Sequence, residues 1–343
     1  MSASSAGGVP YELFDTTPEH ARRRFEVWRE AIDVVFDVRP AESDAAEAPV
    51  CLHNWLLGPA VLVTGSGGGF CYHRTPRAIA RDGRDMLMVQ FYEQGECRFM
   101  EGAAEVVGRA GDLIITDMAH PVRTQETAFR NLNLFVPRPM LASMLRVPDT
   151  GGSRVFRGDD PLVGLARTHL QEVGRNASRL PVAAAHEVLS ASLQLVAAAM
   201  NGSVDDQTVP GVRAALGARM RQHIAEHLDD DLAPDDLAAQ FGVSRATVYR
   251  LFSVDGGVRS YVQRRRLQRA RLALVDPARR HLTISQIGGG AGYAHPQDFV
   301  RAYRREFQIS PGAQREQARA EARARLQPRP TAWQWVDWLR RVG

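Results

Sequence analysis

Residues 232–252 read LAPDDLAAQFGVSRATVYRLF, and this stretch predicts two short helices joined by a tight turn. Pro234 suits the first position of the first helix, and the two aspartates that follow it suit the helix dipole. Gly242 supplies the turn, and Ser244 is a good cap for the second helix. A helix, a glycine-containing turn and a capped helix in this order form the helix-turn-helix pattern.

The second of these helices has an apolar face and a polar face. If Val248, Leu251 and Phe252 point inward, the outward residues near the helix N-terminus are Arg245, Ala246, Thr247, Tyr249 and Arg250. In a DNA-binding helix-turn-helix, this end of the helix meets base edges in the major groove. Taken alone, the segment fits an ordinary helical hairpin with a solvated basic face nearly as well.

A second, weaker copy of the pattern spans residues 282–307, LTISQIGGGAGYAHPQDFVRAYRREF. Pro296 can open its second helix, with Phe299 and Tyr303 facing inward. The residues that then face outward are His295, Gln297, Asp298 and Arg301. Between the copies, residues 261–274 predict a helix long enough to hold two units apart, on which two more arginines are expected to bind phosphates. These are Arg264 and Arg265.

The two units and the helix between them resemble the AraC/XylS family of bacterial transcription regulators, over about residues 213–318. The residues that carry the resemblance are Tyr261, Arg266, Leu267, Ala270, Gly292, Tyr293, Phe299, Arg301, Ala302, Tyr303, Phe307, Ser310 and Pro311. The resemblance implies a sequence-specific, effector-responsive transcription regulator, with an activator as the leading form. It implies that the two units read successive major grooves roughly 34–36 Å apart. It also implies double-stranded promoter or operator DNA and RNA polymerase as partners.

Three features of the second unit depart from the family pattern. Gly288, Gly289 and Gly290 stand where helix-forming residues are expected, at a cost of about 0.8–1 kcal/mol each relative to alanine. Gln308 stands where the family has glycine, and Asp298 places a negative charge on the reading face. We therefore expect the first unit to be the main reader of bases.

The charge of the chain is unevenly divided. Residues 1–210 hold 20 arginines against 26 acidic residues, a net charge of −6, whereas residues 211–327 hold 20 arginines against 12, a net charge of +8. A cationic C-terminal half predicts a polyanion as the partner of that half. All 43 basic residues are arginine, in the acidic half as well, so we attribute that bias to composition and not to DNA binding.

The N-terminal half predicts many short strands. Apolar runs at residues 60–63, 86–92, 105–107, 113–116 and 131–136 are separated by glycine-rich turns, which favours a β-sandwich or small barrel. A helical pattern over residues 11–39 precedes them, and helices at 161–176 and 181–200 follow. The apolar stripe of the last helix fits its own barrel and a second subunit equally well, so a homodimer stays open.

The sequence thus predicts an α+β fold: a β-rich, cupin-like barrel with flanking helices and an all-α domain of two helix-turn-helix units. Residues 1–203 are expected to form a sensing and dimerisation domain and residues 204–212 a linker. The double helix-turn-helix domain then covers 213–318, and a tryptophan-containing tail covers 319–343. Trp28 and the segments 73–75 and 110–113 carry a weaker resemblance of the first domain to the cupin-like sensing domain of the same family.

A sensing domain predicts a small-molecule effector, which the sequence does not identify. The candidate pocket residues are His53, His73, Arg74, Gln90 and His120, each of which also fits a surface position or a satisfied polar position in the core. The alternative function is a metal-dependent cupin enzyme fused to a DNA-binding-like domain. Such sites commonly need His-x-His, which is absent, so no enzyme activity, metal or cofactor is expected. A non-specific, architectural DNA binder is the other alternative.

Cysteine content and hydropathy indicate the compartment. The three widely spaced cysteines, at 51, 71 and 97, fit reduced thiols better than a disulfide framework or a zinc site. Neither a secretory signal nor a run of about 18–20 apolar residues is visible in the sequence. We expect a cytoplasmic, nucleoid-associated protein without a membrane partner.

Overall fold

The computed structural model describes residues 8–82, 85–100, 106–146, 152–202, 209–325 and 333–342. By its internal contacts the chain divides into two compact units. The first contains residues 1–145, 150–203 and 329–343, and the second contains residues 146–149 and 204–328.

The first unit contains twelve strands and six helices in its described part. The strands are β1 (Tyr11–Asp15), β2 (Asp37–Pro40), β3 (Cys51–Leu57), β4 (Ala60–Gly67), β5 (Phe70–Arg74), β6 (Met86–Gln94), β7 (Glu96–Phe99), β8 (Val106–Arg109), β9 (Leu113–Asp117), β10 (Val122–Glu126), β11 (Phe129–Pro137) and β12 (Ser153–Phe156). The helices are α1 (Ala21–Ile32), α2 (Pro76–Asp82), α3 (Arg138–Ala142), α4 (Pro161–Asn176), α5 (Ala185–Gly202) and, at the end of the chain, α13 (Gln334–Arg341).

The strands form two antiparallel sheets. One has the order β1-β3-β4-β11-β6-β9-β12 and the other β2-β5-β10-β7-β8. Strand β6 shows how the larger sheet is buried on both faces: Leu87, Val89 and Phe91 join the core formed with α4 and α5. Met88 and Tyr92, at the alternate positions, join the core shared with the smaller sheet. The β-rich unit followed by a helical unit confirms the predicted α+β class.

The apolar stripe of α5 faces the barrel of its own chain. Leu189, Leu193 and Val196 are fully buried in the core between α4, α5 and the larger sheet. By length and hydropathy alone, Val182–Gly202 would pass as a membrane-spanning helix. Its burial against the sheet accounts for its apolar character, because a core helix needs the same residues.

The predicted helix over residues 11–39 was wrong at both ends. Residues 11–15 form β1, where Tyr11 pairs with Trp55 of β3, and residues 37–40 form β2, which pairs with β5. Only α1 between them is helical, and it buries Trp28 and Ile32. Pairing with strands far along the chain overrides the local pattern of apolar residues.

The second unit contains seven helices in its described part. They are α6 (Val209–Glu226), α7 (Pro234–Gln240), α8 (Arg245–Leu251), α9 (Val258–Val275), α10 (Ile284–Gly290), α11 (Pro296–Phe307) and α12 (Pro311–Arg325). Of the predicted linker, residues 204–212, residues 204–208 lie outside the described residues, and residues 209–212 belong to α6.

The end of the chain belongs to the first unit. Helix α13 buries Trp335 and Trp338 in the core that Phe14 and Trp28 also occupy. The backbone N–H of Trp335 donates to the carboxylate of Glu12 at 2.6 Å, and the ring of Phe14 lies edge-on to Trp335 at 5.9 Å between centroids. The predicted tryptophan-containing tail, residues 319–343, thus includes the end of α12, which continues through Arg325, and residues 333–342, which pack against the β-rich unit.

Candidate nucleic-acid interface and interior cavity

The first helix-turn-helix is formed by α7 and α8. Pro234 opens α7, and Gly242 adopts a left-handed φ of 64° in the turn. The hydroxyl of Ser244 accepts the backbone N–H of Thr247 at 3.2 Å and so caps α8. The inward side chain Val248 is fully buried, in a cluster that includes Phe252 of the following turn. The second helix faces inward as predicted, but Arg250 lies in the last turn of α8 and not near its N-terminus as expected, because the helix ends at Leu251.

The outward face of α8 carries two exposed arginines and a tyrosine. The guanidinium of Arg245 donates to the hydroxyl of Tyr249 at 3.2 Å, lies 5.6 Å from its ring centroid and pairs with Asp235 at 3.1 Å. Arg250 is exposed, and its guanidinium has no hydrogen-bond or ion-pair partner in the part of the chain that the structure describes. Thr247 is half-buried, and its hydroxyl lies 3.0 Å from that of Ser244.

The second helix-turn-helix is formed by α10 and α11. A capping box starts α10, in which Thr283 and Gln286 satisfy each other's backbone N–H groups. Helix α11 buries Phe299, Tyr303 and Phe307. Its outward residues differ in their pairing. His295 and Gln297 are exposed, whereas the guanidinium of Arg301 donates to the carboxylate of Asp298 one turn earlier.

The structure shows how the second unit accommodates each of its three departures from the family pattern. The glycine-rich helix forms, and a Cβ on Gly288 would come within 2.9 Å of the Phe299 ring, so this glycine allows α10 to approach α11. Gly289 has open space around its Cα. Gln308 ends α11 with a φ of 57°, a left-handed conformation that favours the glycine of the family pattern. Asp298 is neutralised by Arg301.

The two arginines of α9 that were predicted to bind phosphates have partners within the protein. Arg264 lies 3.6 Å from the carboxylate of Asp255 and 3.7 Å from that of Glu306, so it joins the turn after α8 to α11. Arg265 donates to the side chain of Gln268 at 3.0 Å. The predicted phosphate contacts at both positions would compete with these partners. The sequence did not distinguish Arg264 and Arg265, which have partners, from arginines that are free, because they stand in a run of basic residues that all look alike in the sequence.

The first unit encloses a cavity between its two sheets, closed by α1 and α13. The cavity volume is about 70 Å³, and the space between its atoms, including the part open to solvent, is about 690 Å³, so the cavity takes only a small ligand. Aromatic rings dominate its wall, among them Trp28, Tyr72, Phe99, Phe135 and Trp335. The polar lining residues are Gln90, Thr116, Thr124, Glu126, Asn131 and Asn133.

A buried carboxyl group is the main electrostatic feature of this cavity. Burial raises the pKa of Glu126 to about 7, although hydrogen bonds from Tyr92 and Gln90 act in the opposite direction. Burial also raises the pKa of Tyr72 and of Cys97, with the carboxylate of Glu126 adding to both effects. The cavity therefore holds an acid whose charge depends on what lies beside it.

The structure does not bring the five predicted effector residues together. Gln90 lines the cavity, and the others do not. Arg74 is fully buried and donates to the carbonyls of Met118 and Val35. His53 contacts the Tyr11 hydroxyl at 2.8 Å, and His73 is half-buried on β5 at its pairing with β2.

His120 belongs to a buried ion network away from the cavity lining. Its Nδ1 lies 3.0 Å from the carboxylate of Asp117. Asp117 and Asp85 both pair with Arg138, which holds the pKa of Asp117 well below its usual range. Three of the polar groups that do line the cavity, Gln90, Asn131 and Asn133, stand within apolar strands, as in MLMVQFY and NLNLFV. That alternation was the sequence signal that could have identified them.

No group of three or more His, Cys, Asp or Glu side chains is arranged to hold a metal ion in the described residues. The three cysteines are free thiols, and Cys97 lines the cavity.

The two units correspond to two known domain families. Residues 28–200 match the AraC-binding-like domain, and residues 237–317 match a helix-turn-helix domain. The chain belongs to the AraC-like family of transcription regulators. The sequence-based resemblance is thereby confirmed, and with it the assignment as a DNA-binding transcription regulator.

Two known proteins are similar over most of this AraC-like chain. The transcriptional activator NphR from Rhodococcus sp. is 26% identical over 250 residues, which cover 71% of this chain and 74% of that protein. The crystal structure of the AraC-like transcriptional activator CuxR superposes with a TM-score of 0.52 at 22% identity. It covers 76% of this chain and 94% of that one, a similarity of fold.

Proposed function

We propose that this AraC-like protein is an effector-responsive activator of transcription that binds operator DNA through α8 and α11. The observation that carries the proposal is that both helices bury an apolar face and leave polar side chains outward near their N-termini. The name of the relative NphR, a transcriptional activator, supports activation over repression.

Within this proposal, α8 is the main reader of bases. Arg250 is the first candidate for a guanine contact, because its guanidinium is exposed and unpaired among the described residues. Arg245 and Tyr249 form a stacked pair beside it, with Thr247 as a further contact. On α11 the proposed contacts are His295, Gln297 and Arg301, with Asp298 accepting from cytosine N4 if its pair with Arg301 opens. Arg264 and Arg265 are proposed to contact phosphates only after releasing their partners.

The test is binding to an operator identified by sequencing the genomic DNA that the protein retains. We expect Arg250→Ala to weaken operator binding by about 1–3 kcal/mol and to relax selection at one base position. Mobility shifts of operator and scrambled duplexes measure both effects. Arg280→Ala removes the same charge from the turn after α9, on neither reading helix, and is the matched control. If the two variants lose the same operator affinity, Arg250 contributes only a non-specific positive charge and does not read a base.

The first unit is proposed to sense a small molecule in the cavity between its sheets. The effector must prefer one arrangement of the protein, because a ligand with equal affinity for all arrangements shifts nothing. We further propose RNA polymerase as a partner, a cytoplasmic location, and a role without catalysis. A homodimer is proposed through the helical face of the first unit, where Leu165 and Val182 are exposed. Sedimentation of wild-type and Leu165→Glu protein tests the dimer.

A further inference from the structure

The cavity of the first unit is completed by the last helix of the chain. Trp335 and Leu339 of α13 line it together with residues of both sheets. Both side chains are almost fully buried. Since α13 follows the DNA-binding helices in sequence, the cavity is built from segments on both sides of the helix-turn-helix domain.

The charge of the cavity wall selects against anions. Its one ionisable carboxyl group is Glu126, and within the described part of the chain no Arg, Lys or His lines the cavity. An anionic ligand would be buried without a compensating cation, beside a carboxyl group that would have to stay protonated. A ligand that donates a hydrogen bond would instead add to the hydrogen bonds that Tyr92 and Gln90 make to the carboxylate.

The rest of the wall indicates an aromatic ligand. Rings from α1, β5, β7, β11 and α13 line the cavity, and aromatic rings pack favourably on one another's edges and faces. The indole N–H of Trp335 is buried and has no acceptor among the described residues. A buried donor without a partner is costly, so an acceptor atom on a ligand or a water molecule is expected beside it.

We propose that the cavity binds a small aromatic molecule that presents a hydrogen-bond donor, a hydroxyl or an ammonium group, to Glu126 and that contacts Trp335 of α13. This inference rests on the proposed sensing role of the first unit and adds the chemical class of its effector. Because α13 is part of the wall, the ligand stabilises the docking of the chain's last helix on the barrel.

The full-length protein can be titrated with three probes that share one ring and differ in charge. Benzyl alcohol is neutral, benzylamine is cationic and benzoate is anionic. By calorimetry we expect at least one of the two donors to bind about tenfold or more tightly than benzoate. The alcohol and the amine distinguish a neutral donor from a charged one. Benzoate binding as tightly as both donors, or no binding by either donor, overturns the inference.

Variants assign the binding to these residues. Glu126→Gln should lower the preference for donor over benzoate by roughly tenfold, and an unchanged preference contradicts the role of Glu126. Trp335→Leu should weaken donor binding by roughly five- to tenfold. Trp338→Leu changes a buried tryptophan of the same helix that does not line the cavity, so it should leave affinity nearly unchanged. Equal losses would show that α13 acts only by folding, and near-ultraviolet circular dichroism checks the fold of each variant.

Operator binding separates this inference from the proposed function. If the donors bind the cavity but change neither operator affinity nor transcription in vitro, the sensing role fails and the ligand class stands. If an anionic aromatic binds and changes operator affinity, the sensing role stands and the ligand class fails.

Discussion

The two helix-turn-helix units of this chain share one architecture and differ in how their reading faces are paired. In the first, Arg250 is exposed and unpaired among the described residues, and Arg245 stacks on Tyr249. In the second, Arg301 is bound to Asp298. In the part of the chain that the structure describes, the first unit therefore offers one unpaired arginine on its reading face, Arg250, whereas Arg245 and Arg301 would each have to leave an ion pair to contact DNA.

The units also differ in what stabilises them. The second unit relies on the close approach of α10 to α11, where Gly288 lies against Phe299, whose ring packs between Tyr293 and Tyr303 at 5.6 Å from each. Both units have a capped helix, and the first unit relies in addition on a cluster that includes Met220 of α6. We propose that the two copies of the motif divide their tasks, with base reading in the first copy and rigid packing in the second.

The largest expected effect is on the packing of the second unit. Gly288→Val should destabilise α10 and α11 by roughly 1–3 kcal/mol, because its Cβ would overlap the buried Phe299 ring. Gly289→Val, the next residue of the same helix, points into open space and should change stability by only a few tenths of a kcal/mol. Hydrogen exchange of the α10 and α11 amides measures both. If the two variants lose the same stability, the close approach of α10 to α11 is not what stabilises the second unit.

The caps test which unit reads DNA. Ser244→Ala and Thr283→Ala each remove an N-cap and should each cost about 1 kcal/mol of stability. Only Ser244 caps a reading helix, so operator affinity should fall more for Ser244→Ala than for Thr283→Ala. Mobility shifts and thermal unfolding of the two variants give this contrast, and a larger loss of affinity at Thr283 would reverse the assignment.

The ion pair of the second unit should restrain its DNA binding. Asp298→Asn releases Arg301 and removes a negative charge, so operator affinity should rise by roughly 0.5–1 kcal/mol at low salt and less at high salt. Glu316→Gln breaks a similarly spaced pair with Arg319 on α12 and serves as the control. Weaker binding by Asp298→Asn would instead identify Asp298 as a direct base contact.

The smallest expected effect is at the end of α11. Gln308→Gly should stabilise the second unit by roughly 0.5 kcal/mol, because glycine adopts a left-handed conformation without the steric cost of a side chain. The gain is reduced by loss of the hydrogen bond from the Gln308 side chain to the carbonyl of Arg305. Gln308→Ala keeps the left-handed backbone strain but loses the side-chain hydrogen bond. Comparing its thermal unfolding with that of Gln308→Gly therefore separates the two contributions.

Signals that are local in sequence predicted most of the helical unit. The proline, glycine and serine of residues 232–252 fixed the start, the turn and the cap of the first unit, and each acts on backbone within a few residues of itself. The helix predicted at 161–176 is α4 with the same bounds. By contrast, β1 and β2 were missed, because their assignment depends on pairing with β3 and β5 and not on their own residues.

The cavity could be predicted only in part. Gln90 was identified, but Glu126 was not, because a carboxylate at the end of a short, largely polar strand reads as a surface group until the opposing sheet covers it. Histidines were predicted as pocket residues from the sequence, yet His53 and His120 make contacts with other residues of the barrel.

Local residue patterns were enough to predict the two helix-turn-helix units, since caps, turns and the apolar spacing of helices act over a few residues. Tertiary structure decided which arginines are free, which polar groups face the cavity and where the last helix docks. The bond between Glu12 and Trp335 joins positions 323 residues apart. No local pattern encodes such a contact, because it forms only when the barrel offers an apolar site that the tryptophans of α13 can fill.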